Sequence, residues 1–199
     1  MSYIKKRYWV AMGMFLLALL LYIDRVCISV AKDSVAMDLD LSDKAMGWVL
    51  SIFALGYALL QVPSGMMADR YGPRKMLTAI VGFWSALTAL TGAAWNFVSL
   101  MVIRFLFGAG EAGAFPGMSR VIYSWMPLKE RGLIIGLNFS GSRLGAAFAL
   151  PLVAWMIESF GWRTAFMILG GVGVFWLLPW WSHLVLRRIC CVTGFLGLS

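Results

Sequence analysis

Charged residues are scarce in this sequence. Asp, Glu, Lys and Arg make up 13% of its 199 residues, while 61% are hydrophobic. A soluble domain of similar length carries about 25% charged residues. So large an apolar surplus cannot be buried in one aqueous core, which excludes an ordinary soluble fold. Cysteine is also sparse. Cys27, Cys190 and Cys191 give neither a disulfide framework nor a metal-ligand spacing. The adjacent Cys190 and Cys191 read as two apolar tail residues, with lipidation the less favoured alternative. The single histidine, His183, stands alone in an aromatic stretch and reads as an interfacial residue. No nucleophile–base pair or phosphate-cradling loop is present, and Gly108-Ala109-Gly110 lacks the strand–turn–helix context of a dinucleotide fingerprint. An enzyme is not indicated, and no cofactor or metal is expected.

Long apolar runs are abundant. A membrane-spanning helix needs about 20 mostly apolar residues, and six stretches qualify: 8–30, 45–68, 76–95, 97–122, 133–157 and 164–186. The first follows Lys5, Lys6 and Arg7, as a signal peptide would. It has no small-residue cleavage site, however, and Asp24-Arg25 interrupts it, so it reads as the first transmembrane helix. The expected fold is an all-α membrane bundle of six spans over residues 1–186, with a short tail at 187–199.

The net charge of +8 would suggest nucleic acid if it formed one patch. It falls instead in clusters between the spans. Lys5, Lys6, Arg7, Arg70, Arg74, Lys75, Arg120, Lys129, Arg131, Arg187 and Arg188 lie on one side, and only Lys32, Lys44 and Arg163 on the other. This asymmetry predicts cytoplasmic termini. Trp9, Trp48, Trp95, Trp125, Trp155, Trp162 and Trp181 sit near span ends, as an interfacial belt would.

An internal repeat is visible. Gly56, Pro63 and Tyr71-Gly72-Pro73-Arg74 join spans two and three. Gly145, Pro151 and Phe160-Gly161-Trp162-Arg163 join spans five and six. The two patterns fall on opposite sides of the membrane, as a three-plus-three inverted repeat predicts.

Charges within spans are costly unless paired or wetted, and five remain: Asp24, Arg25, Arg104, Glu111 and Arg143. Arg104 and Glu111 are seven residues apart, on one helical face. Under the repeat, spans one and four are counterparts, so these charges converge on a shared cavity. Arg25 is the first choice for recognising an anion, because guanidinium forks two hydrogen bonds onto a carboxylate. A proton must be carried by a carboxyl, Glu111 first and Asp24 second. The alternatives stay open here: Arg25 snorkelling to the interface beside Asp24, Arg104 near a helix end serving either an ion pair or substrate, and Arg143 lining the cavity or holding a carbonyl. Tyr57 offers a hydroxyl at cavity depth or a lipid-facing ring. Glycines 108, 110, 113 and 117 allow close helix approach, and Pro116 a kink.

The run Gly65-Met66-Met67-Ala68-Asp69-Arg70-Tyr71-Gly72-Pro73-Arg74-Lys75 resembles the loop between spans two and three of the major facilitator superfamily. The resemblance implies that Gly65, Asp69, Arg70, Gly72 and Arg74 serve gating between two halves of a transporter. Tyr22-Ile23-Asp24-Arg25, with Arg104 through Glu111-Ala112, is similar to the anion:cation symporter branch. That branch includes proton symporters for sugar acids such as galactonate, glucarate and hexuronates. It implies that Arg25 binds the substrate carboxylate, that Asp24 and Glu111 carry protons, and that Tyr57 contacts substrate. The family has twelve spans, and beyond about Phe175 this sequence departs from it. The expectation is therefore an N-terminal half that needs a C-terminal half or a second copy. A truncated or regulatory chain that binds the anion without moving it is the alternative.

Overall fold

A computed structural model describes residues 3–179. The expectations for His183, Trp181, Cys190, Cys191 and the 187–199 tail lie outside the described residues. The chain forms seven helical segments: α1 Tyr3–Asp38, α2 Asp43–Tyr71, α3 Pro73–Gly92, α4 Phe97–Glu111, α5 Ala114–Trp125, α6 Leu128–Phe160 and α7 Trp162–Pro179. Together α4 and α5 make one pass, Phe97–Trp125, so the segments give six passes. Five are long and apolar enough to cross a membrane, and Trp162–Leu178 is a shorter apolar helix.

Two boundaries differ from expectation. The first helix continues through Lys32 and Asp33 to Asp38, because no helix breaker precedes Asp40, which turns the chain at φ 50°. The fourth span is broken directly after Glu111. Pro116 supplies no N–H, and its ring crowds the carbonyl four residues earlier, so the helix lapses at Ala112 and Gly113 before α5 begins.

Local chemistry sets the other ends. The Ser42 hydroxyl caps α2 by accepting from the Ala45 N–H, and Asn96 and Ser99 form a reciprocal capping box that starts α4. Single glycines turn the chain from α2 into α3 and from α6 into α7. Gly72 has φ 82° and ψ 149°, and Gly161 has φ 80° and ψ 158°, a region essentially restricted to glycine.

The main helix pairings are α1 with α6, α2 with α4, and α3 with α7. An inverted repeat that exchanges spans one and four, two and five, and three and six turns the first pairing into the second. It leaves the third unchanged. The close contacts follow the same rule. A Cβ on Gly56 would run into the Phe105 carbonyl of α4, and one on Gly145 into the Leu19 carbonyl of α1. Glycine at these positions lets backbones touch, the usual route to tight packing in lipid. The predicted inverted repeat therefore appears in the helix contacts.

Two large apolar clusters fill most of the bundle, beside a small one of Ile122, Met126 and Ile134. One joins Met14, Leu17, Leu77, Trp84, Phe107 and Met118; the other joins Cys27, Val35, Val49, Leu100, Val153 and Phe166. Three charged residues are buried with them: Asp24, Arg104 and Glu111.

A buried charge centre as candidate functional site

Arg25 on α1 and Glu111 at the end of α4 meet inside the bundle. The Arg25 Nε donates to both Glu111 oxygens, at 3.2 and 3.3 Å, and Nη2 lies 3.0 Å from Oε1. The two residues are 86 positions apart, the same separation as Leu19 and Phe105, which make the matched glycine contacts. The ion pair thus joins repeat-equivalent positions. Three aromatic rings surround the guanidinium carbon, Tyr22 and Phe53 at 5.1 Å and Tyr57 at 4.8 Å, within cation–π range.

The two partners differ in access. The Arg25 side chain is 23% exposed and that of Glu111 is 1% exposed. Arg25 is therefore the more accessible of the two, with the glutamate behind it. Arg25 does not snorkel to the interface, and Tyr57 is not simply a lipid-facing ring.

Asp24, the preceding residue, points to a different neighbour. Its Oδ2 accepts a hydrogen bond from the Trp84 indole N–H of α3 at 3.0 Å, in a fully buried contact. Adjacent helical residues diverge by about 100°. Asp24 therefore faces α3, while Arg25 faces α2 and α4.

Arg104 lies in the first third of the fourth pass, Phe97–Trp125, and is 1% exposed. Its guanidinium carbon sits 5.2 Å from the Phe107 ring and 5.4 Å from the Phe166 ring. Among the described residues it forms no ion pair, and its buried Nε has no hydrogen-bond partner. Arg143 is exposed on α6.

At the Gly72 end, Asp69 and Arg120 form an ion pair at 2.7 Å, with side chains 62% and 52% exposed. The Arg70 guanidinium lies over the Tyr71 ring at 5.7 Å. A Cβ added at Gly65 would lie 3.8 Å from the Pro116 Cβ, in ordinary van der Waals contact, and Arg74 is partly buried.

Sequence reasoning missed Trp84, Tyr22, Phe53 and the partnership of Arg120 with Asp69. Trp84 carried a usable signal. Tryptophan in membrane helices gathers at the interfaces, and this one lies in mid-span. Trp162 was placed in the belt but is 6% exposed, packed edge-on against Phe166 and beneath the Arg163 guanidinium.

A multi-pass helical bundle with paired, buried charges on symmetry-related helices defines an integral membrane protein of the transporter class. Residues 14–188 match the Major Facilitator Superfamily, and the chain belongs to that family. It is 42% identical over 175 residues to a protein of Cupriavidus necator described as a probable sulfoacetate transporter, SauU, covering 88% of this chain and 41% of that protein. The probable galactarate/D-glucarate transporter GudP of Bacillus subtilis is 36% identical over 180 residues, covering 87% of this chain and 40% of the relative. This chain therefore spans about two fifths of the length of these relatives. Among solved structures, a bacterial homologue of the human lysosomal transporter Spinster, in an inward-facing and unoccupied conformation, superposes with a TM-score of 0.78 at 29% identity, covering 88% of this chain and 42% of that one. The proton:xylose symporter XylE shares the fold, with a TM-score of 0.76 at 15% identity over 91% of this chain and 45% of that one.

Proposed function

We propose that this chain forms the N-terminal half of a proton-coupled symporter for a small organic anion, with both termini in the cytoplasm of a bacterial cell. The observation that carries the proposal is the Arg25–Glu111 pair, in which the arginine faces open space and the carboxyl is sealed behind it. A substrate carboxylate needs the same fork of N–H donors that Glu111 occupies. While Glu111 is ionised it competes for Arg25. A proton on Glu111 cancels that charge and frees the guanidinium for the substrate. Proton and anion then load together, and loss of the proton returns Arg25 to Glu111 and expels the anion.

Tyr22, Phe53 and Tyr57 hold the guanidinium in place while its partner changes. Asp24 is the second proton site, fixed by Trp84, and buried Arg104 adds positive charge along the path. Arg143 is assigned an outlying contact with the anion. Asp69, Arg70 and Arg74, with the Gly65 and Gly72 backbone, form the gating surface towards a C-terminal half or a second copy.

Sugar acids such as hexuronates, galactonate or glucarate are the preferred substrates, supported by relatives such as GudP. Sulfoacetate is the second reading, supported by the relative at 42% identity. Each of these anions presents a carboxylate to Arg25.

The test is uptake into proteoliposomes holding the chain alone or with a co-expressed C-terminal half from a relative. Labelled galactonate, glucarate, glucuronate and sulfoacetate are compared with and without an inward proton gradient. We expect gradient-driven uptake of one anion class. Arg25→Lys, which keeps the charge but loses the fork, should weaken anion binding by more than about tenfold. Glu111→Gln should stop accumulation while leaving exchange intact. Unchanged affinity in Arg25→Lys removes Arg25 from the site, and full accumulation in Glu111→Gln removes Glu111 from coupling.

A further inference from the structure

The charges inside the spans do not balance. The acids Asp24 and Glu111 stand against three arginines, Arg25, Arg104 and Arg143. Arg25 holds Glu111, and Arg104 is sealed in the bundle. Arg143 is exposed near the middle of α6 and, among the described residues, forms no ion pair. An arginine at that depth is costly unless it meets a wet cavity or an opposite charge.

The faces of α6 show which side Arg143 takes. Gly141 and Gly145 sit against Phe15 and Leu19 of α1. On one flank Leu152 and Met156 line a cavity with Ile168 and Leu169 of α7. On the other flank Phe139 stacks on Phe115 at 5.9 Å, and Phe115 meets Tyr22 edge-on at 6.4 Å. Tyr22 in turn lies 5.1 Å from the Arg25 guanidinium carbon. Arg143 is one turn beyond Phe139 and about 40° round the helix. It therefore stands on the flank of the rings, away from α7 and turned to the open side of the bundle. Gly136 and Ala147 on the same face are small and exposed, which leaves its side chain room. Three rings thus connect Arg25 to the face that carries Arg143.

Charge then sets the substrate class. While Glu111 is ionised, Arg25 is matched and Arg143 is left over. When Glu111 takes its proton, two arginines are open at once, and a monoanion satisfies only one of them. A substrate with two negative ends matches both, with Asp24 offsetting Arg104 in the count. We propose that the transported anion is a dianion, with a carboxylate on Arg25 and a second anionic group on Arg143. Arg143 is then the residue that separates it from a monoanion of the same length. The inference rests on the transport reading and narrows its organic anion to this class.

The experiment is equilibrium binding of labelled D-glucarate and D-gluconate to the 199-residue chain in nanodiscs, at mildly acidic pH. Both arginines lie on this chain. The two sugar acids differ only at the far carbon, a carboxylate in one and a hydroxymethyl in the other. We expect glucarate to bind at least about tenfold more tightly. Arg143→Gln should weaken glucarate by at least about tenfold and leave gluconate within about twofold. Arg143→Lys, which keeps the charge, should restore most of the preference. A preference that survives Arg143→Gln, or an equal loss of both anions, would overturn the role given to Arg143. Equal binding of the two anions by the parent would overturn the dianion and leave the Arg25 reading standing. Binding of neither would bring down the transport reading, and this inference with it.

Discussion

At Gly72 the chain passes from one long helix into the next through a single residue at φ 82° and ψ 149°, and at Gly161 it does the same at φ 80° and ψ 158°. The two turns lie on opposite faces of the bundle and are related by the inverted repeat. Their side chains are used differently. At the Gly161 turn Arg163 ties helix ends together. It holds Asp38 of α1 at 2.8 Å and the carbonyls of Gly92, the last residue of α3, and of Ala94 just after it, at 3.1 and 2.7 Å. At the Gly72 turn Asp69 pairs with Arg120 at the surface, and Arg70 lies over Tyr71. Glycine contacts and turns build one skeleton twice, and charge then makes one turn a staple and the other a presented surface.

The largest effects should come from the shared skeleton. Gly56→Leu and Gly145→Leu each force a side chain against a backbone carbonyl, of Phe105 and Leu19 respectively. Neither helix pair can separate without opening the core, so each variant should lose more than about 3 kcal/mol, the upper end of ordinary overpacking. Size-exclusion chromatography in detergent should show monodisperse protein lost in both. If one variant stays folded and the other aggregates, the two helix contacts are not equivalent.

The turns come next. Gly72→Ala and Gly161→Ala place a Cβ in a backbone region essentially limited to glycine, at a cost of about 1–3 kcal/mol each. No neighbouring atom lies in the way at either position, so the conformational cost stands alone. Thermal unfolding of the two variants should show matching losses. A twofold difference between them would mean that something other than backbone conformation holds one of the turns.

Much of this arrangement was readable in the sequence because its causes are local. Apolar runs placed the six passes, and the Gly72 and Gly161 turns announced the repeat. The meeting of Arg25 with Glu111 followed from treating spans one and four as counterparts. What stayed hidden depends on how helices cross. Arg104 and Arg143 are both arginines within spans, yet one is sealed beside Phe107 and Phe166 and the other is exposed. Trp84 reads as another apolar residue until Asp24 is placed against its N–H. Pro116 signalled a kink, but its effect appears at Ala112 and Gly113, a turn earlier, where the obstructed carbonyl lies.

The staple and the surface turn should also separate by mutation. Arg163→Ala removes the bonds to Asp38 and to two carbonyls. Because the Arg163 side chain is 41% exposed, the loss is limited to about 1–2 kcal/mol. Arg70→Ala removes an exposed ring contact and should stay within about 0.5 kcal/mol of the parent. Melting curves recorded side by side would settle the contrast, and equal losses would end the distinction between the two turns.

The smallest effect is expected at Asp69. Its ion pair with Arg120 is short, yet both side chains are more than half exposed. Exposed pairs contribute about 0–1 kcal/mol, and at 1 M salt the screening length falls to about 3 Å. Asp69→Asn should therefore barely lower the melting temperature of this chain, and high salt should erase the difference that remains. A pair that contributes so little to its own half is free to exchange partners with a second one, as the proposed gating role requires. A large, salt-insensitive loss of stability in Asp69→Asn would instead make the pair a structural tie like Arg163, and would remove the reason to assign it to the gate.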